Sequence, residues 1–502
     1  IRNYKVFKMD FLSLFENDFL GIIPESFIAF AACLLLVYGV NVPEHPSNTL
    51  VVNVGWLTIL TLCITILLLV TGPVHEMVFF YNCLRIDSFS LFLQVIILLS
   101  VISVILLSLD YLVREGIHSF EYMVLILLSS CSMLLMVASY DLIGIYLTIE
   151  FQSLAFYVIA ASKQDSEFST EAGLKYFVLG AFASGILLFG CTMIYGFTGL
   201  TNLEDLAKLL TGIASLPVVS SSGLLVGILF LCVGFLFKLT AAPFHMWAPD
   251  VYQGAPTSVT AFFAICPKLA ILGLFAKILL FTFYDLLNSW QAVLLLCSLA
   301  SMCVGAFGAL GQSDIKRLLA YSSIGHIGYL LIGLACGTVD GLQSMLVYMV
   351  IYMTMSLTTF GVVLSIRTTN GKPVQNIQDL SGLATSNPAL AITLSLTMFS
   401  MAGIPPLAGF MSKFYLFFAA LSASLYPLAV VGVLTSVISS FYYIRFIKIM
   451  YFDKSEQALQ FESLDASKAW VISTTMAVTV FLAAYPAPIF LMTEKLALGF
   501  CI

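Results

Sequence analysis

Three lysines and one glutamate stand deep inside runs of apolar residues. Glu150 lies in SYDLIGIYLTIEFQSLAFYVIAA, Lys238 in GFLFKLTAAP, Lys268 in AFFAICPKLAILG and Lys413 in GIPPLAGFMSKFYLFFAA. At 1.5 Å of helix per residue, Lys238 is roughly 20 Å inside an apolar layer about 30 Å thick. A charge at that depth costs ~2.5–3.5 kcal/mol on insertion scales, so three unpaired lysines would cost about 7–10 kcal/mol. That is comparable with the net stability of a domain. Such lysines must be paired, hydrated or deprotonated. A buried Glu150–Lys238 pair has two readings. One is a static ion pair that fixes helix packing, although such pairs are not dependable stabilisers. The other is a switch, because a lysine that gains and loses a nearby carboxylate changes its hold on a proton.

Backbone breaks accompany two of these lysines. Pro243 removes a helix hydrogen bond and clashes with the carbonyl one turn earlier, and Lys238 lies just before it. Gly403, Pro405 and Pro406 interrupt a second apolar run shortly before Lys413. Irregular backbone at that depth is tolerated only inside protein or beside a water-filled cavity, and matched interruptions in two halves point to an ion or substrate path. His245 and His326 also fall inside apolar runs, His326 beside Tyr321, Ser322 and Ser323. Each is either a hydrogen-bonded packing group or a proton carrier. Lys175, at the start of its run, has an interfacial reading and ranks below the deep lysines. Lys277, close to a run's end, is expected to snorkel to the interface. His45, His75 and His118 are expected in loops.

The elements that must hold these residues are membrane helices. Of the 502 residues, 60% are hydrophobic and 10% charged, against roughly 25% charged in an ordinary soluble chain. The formal charge of −6 gives no basic field for nucleic acid. Eleven cysteines form no CxxC pair or Cys/His cluster, which argues against a disulfide scaffold or iron–sulfur ligation. Glycines in GAFGALG, Gly305–Gly311, read as helix packing rather than a nucleotide loop. The expected fold is an all-α polytopic membrane protein with about fourteen transmembrane helices, numbers 7 and 12 discontinuous. Breaks five spans apart predict two inverted five-helix repeats, spans 4–8 and 9–13. The corresponding regions are an N-terminal leader at 1–18, three helices in 19–112, repeats in 113–284 and 285–452, and a loop with the last helix in 453–502. Thr201 or Asn202 is expected to cap a short interfacial helix carrying Leu203, Leu206, Leu209 and Leu210. Lysine and arginine concentrate in the loops opposite the termini, Lys468 among them, which predicts both termini on the positive, outer side.

FKLTAAPFHMWAPDVYQGAPT, DIKRLLAYSSIGHIGYLLIG, AGIPPLAGFMSKFYLF and IEFQSLAFYVIAASK with STEAGLKYFVLGAFASGILLFG resemble the antiporter-like membrane subunits of proton-pumping NADH:ubiquinone oxidoreductase (respiratory complex I), in their plant or green-algal mitochondrial form. The resemblance runs over about residues 20–490. It implies a proton relay in which Glu150 tunes Lys238 on the first broken helix, Lys268 follows on the next helix, and Lys413 on the second broken helix donates at the exit. His245 and His326 would lie along the same axis. It also implies no cofactor in this chain, with FMN, iron–sulfur clusters, NADH and ubiquinone in other subunits. The implied partners are other membrane-arm subunits (antiporter-like and small helical ones) and lipids, in the mitochondrial inner membrane. A bacterial plasma membrane is the alternative location. Three other functions fit the same residues: a stand-alone cation/proton antiporter, a non-transporting scaffold, and a chloroplast-type relative that accepts ferredoxin electrons.

Overall fold

A run of apolar residues in lipid must satisfy its backbone internally, and a helix does so within one segment. The computed structural model describes residues 18–42, 48–72, 77–213, 222–367, 374–453 and 465–501. The chain runs through α1 (Ile23–Asn41), α2 (Asn48–Thr71), α3 (Ser88–Arg114), α4 (Glu121–Ala138), α5 (Leu142–Ala160) and α6 (Glu167–Thr198). It continues through α7 (Leu203–Ile213), α8 (Ser222–Lys238), α9 (Trp247–Gly254), α10 (Thr257–Ala276), α11 (Leu287–Leu310), α12 (Ile315–Cys336) and α13 (Val339–Ser365). The last elements are α14 (Pro388–Ala402), α15 (Ala408–Ser422), α16 (Tyr426–Phe452), α17 (Ala466–Ala484) and α18 (Ala487–Cys501). Among the described residues, 12 helices are long and apolar enough to cross a membrane, and α8, α14 and α15 are shorter apolar helices. The protein is a helical, polytopic membrane protein.

The interior is built from three helices. In α10 and α13, 94% of the most apolar window is buried, and in α12 89%, whereas α6, α16 and α17 bury 33–39%. Lys268 and His326 therefore sit on helices that touch protein on every side, while the peripheral helices keep an apolar face outward. α10 packs on α3 and α13, and α11 pairs closely with α12. That pairing depends on Gly305, where a side chain would collide with the backbone of Gly325. The packing reading of GAFGALG holds here.

Four local features depart from the sequence expectation or sharpen it. A hairpin, β1 (Met77–Phe79) with β2 (Leu84–Ile86), stands between α2 and α3, too short to leave an alternating pattern. The last apolar run is not one span. α17 stops at Ala484, Pro486 precedes a new helix, and α18 packs against α13 and α3. α10 widens into a π-turn over Lys277–Thr282. The interfacial helix α7 is present. The Asn202 side chain accepts from the Glu204 backbone N–H at 3.0 Å, with Leu203, Leu206 and Leu210 buried and Leu209 partly so. Of the proposed leader, residues 1–17, with Arg2, Lys5, Lys8 and Met9, lie outside the described residues. So do His45, His75, Lys372, Lys454 and most of the connection before α17.

Candidate functional site

α8 ends on Lys238 itself, ahead of Pro243. The irregular stretch that follows carries Thr240 at φ +64° and leaves backbone groups that side chains then satisfy. Ala242 N–H donates to Ser301 Oγ at 2.8 Å, and the Trp247 indole donates to the Phe237 carbonyl at 3.0 Å. The Lys238 ammonium takes no part in this repair. It is 8% exposed, has no hydrogen-bond partner among the described residues and lies 6.0 Å from the Tyr157 ring. Glu150 on α5 is half-buried, and its Oε1 also lacks a partner. Among the described residues the two form no ion pair by contact. Beside the lysine is a cavity of about 10 Å³, which Gln152, Tyr176 and Tyr252 help to line. That is room for about one water, next to two unpaired donors, Lys238 Nζ and Gln152 Nε2.

Lys268 occupies the middle of α10 and is 1% exposed. The residue before it explains its surroundings. Pro267 has no N–H to give to the carbonyl of Phe263, and its ring crowds that turn. The Tyr252 hydroxyl fills the gap, donating to Phe263 O at 3.2 Å, and the Tyr352 hydroxyl donates to Ala264 O at 3.1 Å. The same two tyrosines hold their rings 5.7 and 6.0 Å from Lys268 Nζ. Two tyrosines thus bond carbonyls of the turn before the lysine and flank it with their rings, and favourable cation–π geometry partly replaces a counter-ion. Among the described residues the ammonium has no hydrogen-bond partner.

Beyond Tyr352 comes His326, whose ring is 5.4 Å from the tyrosine ring. Its Nδ1 is 2.6 Å from the Tyr348 hydroxyl and its Nε2 3.2 Å from the Tyr443 hydroxyl, which in turn lies 2.5 Å from Ser322 Oγ. Hydroxyls donate and accept, so this network accommodates either imidazole tautomer and the imidazolium. Lys413 follows, 4.9 Å from the Tyr329 ring, which also faces His326 at 6.3 Å. His326, Lys413, Tyr329 and Tyr443 share a second cavity of about 10 Å³. Unlike Lys238, Lys413 is tied to its break: Nζ donates to Met401 O at 2.9 Å and Ala402 O at 3.1 Å. These are carbonyls of the last turn of α14, where the helix dipole favours a cation. Gly403 makes this possible with φ +83°, and a Cβ there would stand 3.1 Å from the lysine's own Cδ.

The structure therefore brings Lys238, Lys268, His326 and Lys413 into one buried series, each gap lined by a tyrosine, with Glu150 at one end. Five other expected residues lie elsewhere. His245 is half-buried in the first break, outside the His326 network. Lys175 is 40% exposed and ion-paired with Glu171 at 2.8 Å and Asp250 at 3.1 Å. Pro243, Pro405 and Pro406 face outward from their breaks. Two assignments need correction. Lys277 does not snorkel: it is 2% exposed and donates to the Val137 carbonyl at 3.3 Å. Lys468 is no loop residue: it is buried on α17 and bonded to Asp110 at 2.5 Å. Sequence reasoning also passed over Glu25, a second buried carboxylate, which accepts from Gln94 Nε2 at 3.2 Å. Pro267, Tyr252, Tyr348 and Tyr352 were missed as well. A proline directly before a buried lysine, and tyrosines four residues apart on one helical face, were the available signals.

Broken helices that bring unpaired lysines into series inside an all-helical membrane protein define an antiporter-like class. A family profile described as "NADH:quinone oxidoreductase/Mrp antiporter, TM" matches residues 139–439. The chain belongs to this family, and within it to the chain 2 (subunit N) group. It is 55% identical over 494 residues to NADH-ubiquinone oxidoreductase chain 2 of Marchantia polymorpha, covering 97% of this chain and 100% of that one. Identity is 51% over 490 residues to the Arabidopsis thaliana chain 2, covering 96% and 97%. It is 44% over 473 residues to NADH-quinone oxidoreductase subunit N of Rhodospirillum rubrum, covering 94% and 95%. Among solved structures, a chain of respiratory complex I from Thermus thermophilus with bound aureothin has TM-score 0.77 at 28% identity, covering 93% of this chain and 98% of that one. A chain of the Mrp complex from Dietzia sp. DQ12-45-1b has TM-score 0.81 at 20% identity, covering 97% and 98%, a likeness of fold.

Proposed function

We propose that this chain is a proton-translocating subunit in the membrane arm of NADH:ubiquinone oxidoreductase in the mitochondrial inner membrane. A charge change near Glu150 alters the proton affinity of Lys238, which passes a proton through Lys268 and His326 to Lys413. The observation that carries this reading is the run of lysines buried without a carboxylate contact. A purely structural use of such charges would call for close counter-ions, whereas Lys238 and Lys268 have no hydrogen-bond partner among the described residues. Moving a proton against the membrane potential costs about 2.3 kcal/mol per 100 mV. The redox energy comes from other subunits, which hold the flavin, iron–sulfur clusters, NADH and ubiquinone, so the chain's partners are membrane-arm neighbours and lipid.

The finer architecture belongs to the same proposal. The 12 long helices, with α8–α9 and α14–α15 each counted as one interrupted span, give the fourteen-helix layout. The lysine stands before the break in α8 and after it in α15, as inverted repeats would require. Both termini then face the intermembrane space. The test is Lys238→Ala and Glu150→Ala in the assembled complex. Both are expected to abolish most coupled proton movement in sealed vesicles while the complex remains present in the membrane. Full pumping in either variant overturns the relay.

A further inference from the structure

Lys277 is a buried cation that the proposed relay does not use. It lies nine residues beyond Lys268 on the same helix, about 13–14 Å toward the hairpin end. Its position coincides with the start of the π-turn Lys277–Thr282, a distortion found disproportionately at functional sites. The ammonium has three donors, and one reaches an acceptor, the Val137 carbonyl in the last turn of α4. No ion pair forms at Nζ among the described residues.

Its surroundings lead to the surface. Nζ lies 4.7 Å from the centre of the Tyr140 ring, and the Arg85 guanidinium carbon lies 5.2 Å from that same centre. One buried ring therefore faces two cations. The Tyr140 hydroxyl accepts from Arg85 Nη1 at 3.2 Å, and Arg85 Nε is paired with Asp87 at 2.8 Å. Arg85 and Asp87 are 22% and 20% exposed in their side chains, so this chain of groups begins at a buried amine and ends in contact with solvent. The charged groups around the cluster are Arg85, Asp87 and Glu204. Asp87 already serves Arg85.

We propose that Lys277 is a further proton-carrying residue, which exchanges protons between the lysine series and the hairpin-end surface through Tyr140 and the Arg85–Asp87 pair. In the transfer an Nζ–H bond breaks and the proton passes to a water at the Tyr140 hydroxyl, then outward to the Asp87 carboxylate. The neutral amine left behind takes its next proton, again through water, from the Lys268 side. No electron moves. This role rests on the relay proposed above.

The decisive variant is Lys277→Arg in the complete complex. Arginine keeps the cation, the donor to Val137 and the stacking on Tyr140, yet it does not release a proton. Tyr140→Phe is the companion, keeping the ring and removing the hydroxyl. Protons moved per NADH oxidised are measured in sealed vesicles, normalised to assembled complex, with Lys238→Ala in parallel. A lower proton yield in Lys277→Arg and Tyr140→Phe, at normal amounts of complex, is expected. Should Lys277→Arg not assemble, the yield of Tyr140→Phe decides alone. Full yield in these variants while Lys238→Ala loses pumping overturns the role of Lys277 and leaves the relay intact. Full yield in all three overturns the relay itself.

Discussion

Lys413 Nζ stands 2.9 Å from the carbonyl oxygen of Met401, so the lysine after the second break holds the open end of the helix before it. Lys238, at the first break, holds nothing: Ser301 and Trp247 repair the backbone there. The two breaks look alike in sequence and differ in chemistry. A proton leaving Lys413 leaves an amine that can still donate to both carbonyls, since neutral lysine retains two N–H groups. Loss of a proton from Lys413 would therefore leave the helix end held, whereas no such bond restrains Lys238 among the described residues.

Gly403→Ala tests that arrangement. The left-handed φ of +83° costs a non-glycine residue roughly 1–2 kcal/mol, and the new methyl group would press on the Lys413 side chain. Thermal inactivation of the complex should shift downward by a corresponding amount, and proton yield per NADH should fall. An unchanged yield would mean that the position of Lys413 tolerates displacement.

The tyrosine repair of Pro267 makes a non-additive pair. Tyr252→Phe leaves the Phe263 carbonyl buried without a donor, at a cost of about 1–3 kcal/mol. Pro267→Ala supplies a backbone N–H to that carbonyl and should remove most of the penalty in the double variant. A double-mutant cycle on thermal stability measures the coupling. Additive effects would show that the hydroxyl does not serve this turn.

His326→Phe fills the same space with no polar atom. It strands the hydroxyl of Tyr348, again at about 1–3 kcal/mol, while Tyr443 keeps its bond to Ser322, and it interrupts the series between Lys268 and Lys413. Pumping should drop much further than assembly. His326→Gln, which can donate and accept but does not carry a proton, should recover stability without recovering proton yield.

Lys468→Met separates structural from functional lysines. Removing one member of a buried ion pair costs up to about 3–5 kcal/mol, and less here because Asp110 also pairs with Arg114 at 2.5 Å. The amount of assembled complex should fall, while protons moved per assembled complex should not. The opposite pattern would place Lys468 in the proton path.

Helical membrane architecture, both breaks and the deep lysines follow from the sequence because each rests on local chemistry: apolar runs, proline geometry and charge depth. The interfacial helix α7 was legible for the same reason, since its leucines and its Asn202 cap lie within one short segment. Lys277 and Lys468 were not legible. Each lies near the end of an apolar run, and whether such a lysine reaches water depends on what packs over it, here Tyr140 from the α4–α5 connection and Asp110 from α3. Glu25 was hidden similarly: its position early in α1 reads as interfacial until Gln94 closes on it.

By itself the sequence determined which groups can carry protons and at what depth, because a charge in an apolar run is costly wherever the run is placed. Only the tertiary structure decided their order and their partners. Tyr252, Tyr352 and Tyr329 come from three different helices, and contacts between helices depend on packing that no single segment encodes. The same holds for the absence of contact between Glu150 and Lys238. A matched pair of charges in sequence predicts attraction, but the distance between the helices that carry them sets whether the pair is a bond or a field.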